Sequence, residues 1–146
     1  MVVGYTTGVF DLFHIGHLNI LRNAKSMCDK LVVGVTTDEL MLNYKKKQAV
    51  CPYEERSEIV RSICYVDTVI PQAEIDKYAA WQKIHFNVLF VGDDWHGTPK
   101  WQEIEAQLKA VDVRVVYFPY TKGTSSSLIN EFLIAQREAM LAPGHE

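Results

Sequence analysis

Apolar residues fall along this chain in short, near-continuous runs that alternate with stretches of helical period. The runs at Val2–Thr7, Leu31–Thr36, Tyr65–Ile70, Val88–Gly92 and Val113–Phe118 are rich in Val, Ile and Leu and predict strands. Between and after them, the spacing of apolar positions predicts helices at Ile15–Met27, Tyr53–Ile63, Lys77–His85, Lys100–Ala110 and Ser126–Leu141. Strands without polar alternation must be covered on both faces. Repeated strand–helix units therefore predict an α/β fold, a Rossmann-like, doubly wound and mainly five-stranded parallel sheet with helices on both faces. No internal repeat or linker divides the chain, so residues 1–146 read as one domain. Ligands of such sheets collect beyond the carboxyl ends of the strands, near the point where strand order reverses.

The chemically distinctive segments lie at those ends. Gly8-Val9-Phe10-Asp11-Leu12-Phe13-His14-Ile15-Gly16-His17 joins the first strand to the first helix. A tight loop feeding a helix N-terminus receives phosphate well, because the first amides are unpaired and the helix dipole makes that end positive. His14 and His17 add imidazole donors there, and Gly16 allows a close backbone approach. The run Lys45-Lys46-Lys47 lies in the longest connection between units, which suits a flap closing over phosphates. Pro52-Tyr53-Glu54-Glu55-Arg56 starts a helix with acids at its positive end. Arg56 is out of place in that first turn unless an anion sits nearby, and it reads equally as a ligand contact or as a surface charge. Gly92-Asp93-Asp94-Trp95-His96-Gly97 ends the fourth strand and brings acids to the sheet edge. Tyr120-Thr121-Lys122-Gly123-Thr124-Ser125-Ser126-Ser127 leads into the last helix, with more hydroxyls than one cap requires.

Bulk properties narrow the partners. The formal net charge of −3 argues against a general nucleic-acid binder, although local positive charge still admits an anionic small ligand. Cys28, Cys51 and Cys64 form no CxxC pair and read as buried, reduced thiols. The two loop histidines have no cysteine or paired carboxylate at metal-ligand spacing, so a protein metal site is unassigned. No apolar run reaches the roughly 18 residues of a membrane span, and the N-terminus lacks a secretory pattern, so a cytoplasmic protein is expected.

From about Val2 to Phe132 the chain resembles the nucleotidyltransferase family whose signature is His-x-Gly-His. The likeness includes Phe10-Asp11-Leu12, His14-x-Gly16-His17, Thr37-Asp38-Glu39, the lysine run, Tyr53-Glu54-x-Arg56, Tyr65-Val66-Asp67 and Gly92-Asp93-Asp94-Trp95-x-Gly97. The last of these points to its cytidylyltransferases that act on glycerol phosphate. The resemblance implies transfer of a cytidylyl group from CTP to a small phosphomonoester, glycerol 3-phosphate first. Phosphocholine, phosphoethanolamine or another polyol phosphate is the alternative acceptor, and ATP the alternative donor. A nucleotide-binding regulator without catalysis is a more distant reading.

The resemblance also implies roles. His14, His17, Lys45 and Lys47 would be catalytic. Gly8, Val9, Phe10, Gly16, Gly92, Asp94, Tyr120, Thr121, Gly123, Ser126 and Ser127 would bind nucleotide. Asp11, Arg56 and Trp95 would border the acceptor. Mg²⁺ would enter with CTP, the chain would pair as a homodimer, and the product would suit cell-surface polymer synthesis. Three positions depart from the family pattern: Val9 replaces a threonine, and Cys64 and Tyr120 each replace an arginine. Lys122 and His96 are the nearby candidates to compensate, although lysine lacks arginine's planar fork.

Overall fold

A computed structural model describes residues 1–93, 96–119, 121 and 125–141. In chain order the elements are β1 (Val3–Gly8), α1 (Ile15–Lys25), β2 (Lys30–Thr36), α2 (Asp38–Lys45), α3 (Tyr53–Arg61), β3 (Thr68–Gln72), α4 (Lys77–Ile84), β4 (Val88–Gly92), α5 (Pro99–Lys109), β5 (Arg114–Phe118) and α6 (Ser126–Leu141). The strands form one parallel sheet in the order β3-β2-β1-β4-β5, as the alternating pattern predicts. Strand order reverses between β1 and β4, so the β1 loop opens at the switch point.

The pleat sends alternate side chains to opposite faces, and both faces are buried. On one, Val33, Val35 and Phe90 pack with Leu21 and Ala24 of α1 and Val60 of α3. On the other, Tyr5, Val32 and Leu89 pack with Trp101 and Leu108 of α5, with Ala80 and Trp81 of α4 beside them. Burying about a dozen such side chains, at roughly 1.5–3 kcal/mol each, fixes the strand ends that carry the site.

Three expectations need correction. The connection holding the lysines is not an open flap, because α2 occupies its first half. Thr37 caps it, its Oγ1 accepting from the Leu40 N–H at 3.2 Å, and Asp38 and Glu39 sit at its positive end. The helix ends where Lys46 turns left-handed at φ 56°. It is short and buries Met41 alone, so its apolar period is faint.

The third strand runs Thr68–Gln72, later than the apolar run suggests. The Val66 N–H bonds the Ile63 carbonyl in a turn, and Asp67 is spent on the Leu31 N–H and on Lys25. The strand continues through Pro71 because β3 is an edge, where a missing N–H costs little. The thiols also differ from expectation. All three are free, but Cys64 is exposed and Cys28 and Cys51 are only partly buried.

Among the described residues, no helix is long and apolar enough to cross a membrane.

Candidate active site

A cleft of about 520 Å³ opens along the carboxyl ends of the strands. Gly8, Thr36, Gln72 and Gly92, each at or near the end of its strand, line its floor with Ser126 at the start of α6. The loop from Val9 to His14 forms one wall under strain. Phe10 and Leu12 both adopt left-handed backbone, at φ 55° and 48°, which costs a non-glycine residue roughly 1–3 kcal/mol. Burial of the Phe10 ring in the core offsets this, and its edge meets His17.

The loop ends in a reciprocal helix cap. His14 precedes α1 with extended backbone, and its Nδ1 accepts from the Gly16 N–H at 3.0 Å. The Nδ1 of His17 accepts from the His14 N–H at 3.2 Å. Each Nδ1 is therefore an acceptor, which leaves the proton of each neutral ring on Nε2. The rings stack 3.9 Å apart, so charging both would set two cations against each other. Burial, then the neighbouring His14, pushes His17 down to about 4, although Asp11 acts in the opposite direction. Burial likewise lowers His14. Both are neutral N–H donors at neutral pH, and His17 lines the cleft. The glycine between them has a second role: a Cβ on Gly16 would lie 2.8 Å from Cε1 of His14. Gly16 thus makes room for the first imidazole.

Asp11 and Arg56 hold this wall in place. The carboxylate of Asp11 accepts from the N–H groups of Val50 and Cys51, at 2.7 and 2.9 Å, and its carbonyl accepts from Oγ of Ser126. Arg56 is 1% exposed and does not face the cleft. Its guanidinium donates to the carbonyls of Cys51, Val9 and Thr36, at 2.8, 2.7 and 2.8 Å, and pairs with Asp38 at 2.7 Å. The anion that Arg56 required is Asp38, from the protein itself. Burial opposes ionisation of Asp38, but the Tyr53 N–H and Arg56 together hold its carboxyl below the usual range. Arg56 is a strut behind this wall of the cleft, not part of its lining.

Cations enter from two sides. Lys45, the last residue of α2, and Lys47 just beyond it line the cleft. Lys77 and Lys100 line it from the starts of α4 and α5. Lys77 donates to Oγ1 of Thr7 at 2.8 Å, and among the described residues it has no carboxylate partner. Burial, then Lys100, pushes it down to about 8. Sequence reading passed over both residues because each looks like an ordinary helix-start lysine. A signal was present in the position of each, at the start of the helix that follows a strand.

Ser127 lines the cleft beside Ser126. Thr121 does not, but its hydroxyl accepts from Asn19 at 3.0 Å, tying it to α1. Val9 and Phe10 line the cleft as expected. Asp94, Trp95, Tyr120 and Gly123 lie outside the described residues.

A family model described as cytidylyltransferase-like matches residues 5–132. The chain belongs to this family. It is accordingly a nucleotidyltransferase. It is 40% identical to the glycerol-3-phosphate cytidylyltransferase of Bacillus subtilis (strain 168) over 127 residues, covering 86% of this chain and 92% of that protein. It is 34% identical to the FAD synthase of Thermococcus onnurineus (strain NA1) over 114 residues, covering 77% of this chain and 76% of that protein. Its fold is shared with the crystal structure of a lipopolysaccharide core biosynthesis protein from Thermoplasma volcanium. The TM-score is 0.70 at 24% identity, over 85% of this chain and 99% of that one.

Proposed function

We propose that this chain transfers the cytidylyl group of CTP to a small phosphomonoester, glycerol 3-phosphate first, giving CDP-glycerol and pyrophosphate. The observation that carries this reading is one neutral imidazole donor, His17, fixed by the backbone N–H of His14 and sharing a cleft with four lysines. The match to a glycerol-3-phosphate cytidylyltransferase along most of both chains supports the choice of donor and acceptor.

In the reaction, an oxygen of the acceptor phosphate bonds to the α-phosphorus while the bond to the bridging oxygen of pyrophosphate breaks. A phosphomonoester is largely dianionic near neutrality, its second pKa being about 6, so no strong base is needed. The barrier lies in bringing two anions together and in the charge that builds on the leaving group. Positioned donors and cations meet both demands. The Nε2–H of His17 donates to a phosphoryl oxygen without introducing a titrating charge, and His14 holds it in that tautomer. Lys45 and Lys47 draw in the triphosphate, and Ser126 and Ser127 present hydroxyls at the positive end of α6. Lys77 takes the acceptor phosphate, the dianion restoring the ammonium that burial disfavours.

Among the described residues, no three His, Cys, Asp or Glu side chains gather as a metal cage. Mg²⁺ in this reading would enter with the nucleotide, held chiefly by its phosphates, and would supply charge neutralisation for the pyrophosphate. The reading extends to a cytoplasmic homodimer that supplies activated glycerol phosphate for cell-surface polymers.

ATP is the competing donor, because an FAD synthase also matches. Pyrophosphate release from CTP and from ATP, each with glycerol 3-phosphate, phosphocholine, phosphoethanolamine and ribitol 5-phosphate, separates the readings. Turnover with CTP and glycerol 3-phosphate is expected to exceed every other pairing. Turnover with ATP alone would overturn it.

A further inference from the structure

Thr7, Thr36 and Gln72 stand at the ends of neighbouring strands and, by the alternation of the pleat, share a face with Tyr5, Val32 and Ile70. This is the face that α4 covers, and Lys77 reaches Thr7 from it. The floor beneath Lys77 therefore includes Gln72, only 9% exposed and lining the cleft. The Gln72 side chain is tied at one end alone: Oε1 accepts from the Thr36 hydroxyl at 2.9 Å. Its Nε2 has no partner among the described residues. No enclosed side-chain nitrogen or oxygen among them lacks one, so Nε2 opens into the cleft. An amide anchored by its carbonyl offers N–H donors in a fixed direction.

The surroundings limit what those donors meet. Asp11 is the sole carboxylate among the described cleft-lining residues, and both its oxygens are engaged by backbone. Lys77 and Lys100 give this end positive charge, and the Lys100 ammonium already lies 5.7 Å over the Tyr44 ring. A cationic head group finds neither an unengaged carboxylate nor an open face of Tyr44 here. A hydroxyl oxygen finds a donor.

We propose that Gln72, oriented by Thr36, is the specificity-determining residue that donates to a hydroxyl oxygen of the acceptor and so selects polyol phosphates over alkyl and amino-alcohol phosphates. This inference rests on the phosphomonoester-transfer reading above and names the group in the cleft that chooses among acceptors.

The test compares glycerol 3-phosphate with n-propyl phosphate, which keeps the carbon chain and lacks both hydroxyls, using CTP as donor. The wild type is expected to favour glycerol 3-phosphate in kcat/KM by roughly 10-fold or more, the scale of one buried donor left unpaired. Gln72→Met should bring the two acceptors within about 3-fold of each other, on the scale of a lost neutral hydrogen bond. It should do so by raising KM for glycerol 3-phosphate, with KM for CTP unchanged. Thr36→Val, which frees the amide's anchored end, should narrow the preference in the same sense and covers the case in which Gln72→Met does not fold. Equal losses on both acceptors, or an unchanged preference, would overturn the assignment of Gln72. A wild type that turns over both acceptors equally well overturns it too, while leaving the transferase reading intact. A wild type inactive with CTP and every phosphomonoester overturns the underlying reading instead.

Discussion

His14 and His17 stack their rings 3.9 Å apart, and each gives its Nδ1 to a backbone N–H of the same helix start. This cap explains why the spacing is His-x-Gly-His. Residues at the cap and three positions on can satisfy one another, and the glycine leaves space for the first ring. Both Nε2–H donors are oriented before any ligand arrives. Removing the one in the cleft is a direct test: His17→Ala should lower turnover by roughly 10²–10³-fold, the scale of one transition-state donor. Circular dichroism should show the fold intact, and a near-normal rate of pyrophosphate release would remove His17 from its role.

The same histidine shapes stability against pH. Folded, His17 titrates at about 4, whereas its ordinary value is 6.5. Between those values the unfolded chain holds the extra proton, so stability falls as pH drops from 6.5 toward 4 and is fully present above 6.5. Denaturant melts at pH 7.5 and 4.5 should therefore differ more for the wild type than for His17→Asn. Equal differences would show that His17 is not held neutral.

Gly16→Ala places a methyl 2.8 Å from the His14 ring, which must move. The expected cost is about 1–3 kcal/mol of stability, typical of overpacking, together with a fall in kcat larger than any change in KM for CTP. Unchanged kcat would mean that the position of the first imidazole is not critical.

Arg56 separates support from ligand contact. Removing it strands three carbonyls and the Asp38 carboxylate. Arg56→Met should destabilise the ligand-free protein by about 1–3 kcal/mol or more, the cost of a buried acceptor left unpaired, while the half-exposed Asp38 carboxylate returns to water. Arg56→Lys should not rescue it, because one ammonium cannot span a planar fork's partners. A ligand-free melting temperature equal to that of the wild type would contradict the strut.

Lys77 should show the opposite balance. It sits beside another cation and has no carboxylate partner among the described residues, so Lys77→Met should leave the melting temperature equal or higher. KM for the acceptor should rise roughly 10-fold, on the order of one charge-assisted hydrogen bond. In the wild type, acceptor affinity should weaken as pH rises through about 8, where the ammonium is lost. A pH-independent acceptor KM between 7 and 9 would place the acceptor elsewhere.

Much of this is legible in the sequence, and what is not has a physical reason. Strand runs such as Leu31–Thr36 are buried on both faces, so their composition alone predicts a parallel sheet. The histidine loop was conspicuous because its spacing is a cap motif. The helix at Asp38–Lys45 was missed because it buries a single residue, Met41, and so lacks a clear apolar period. Arg56 was misplaced because its partners, Val9, Thr36 and Asp38, are distant in sequence and meet only in the fold. Gln72 and Lys77 are ordinary residues in a list, and what distinguishes them is burial beside partners that do not satisfy them.

The most direct test of the account is phosphorus NMR of the purified chain with CTP, Mg²⁺ and glycerol 3-phosphate. The account predicts that glycerol 3-phosphate and CTP are consumed together, with diphosphate signals of CDP-glycerol and pyrophosphate growing in equal amounts. Persistence of both substrates, with CTP bound but unreacted, would contradict it.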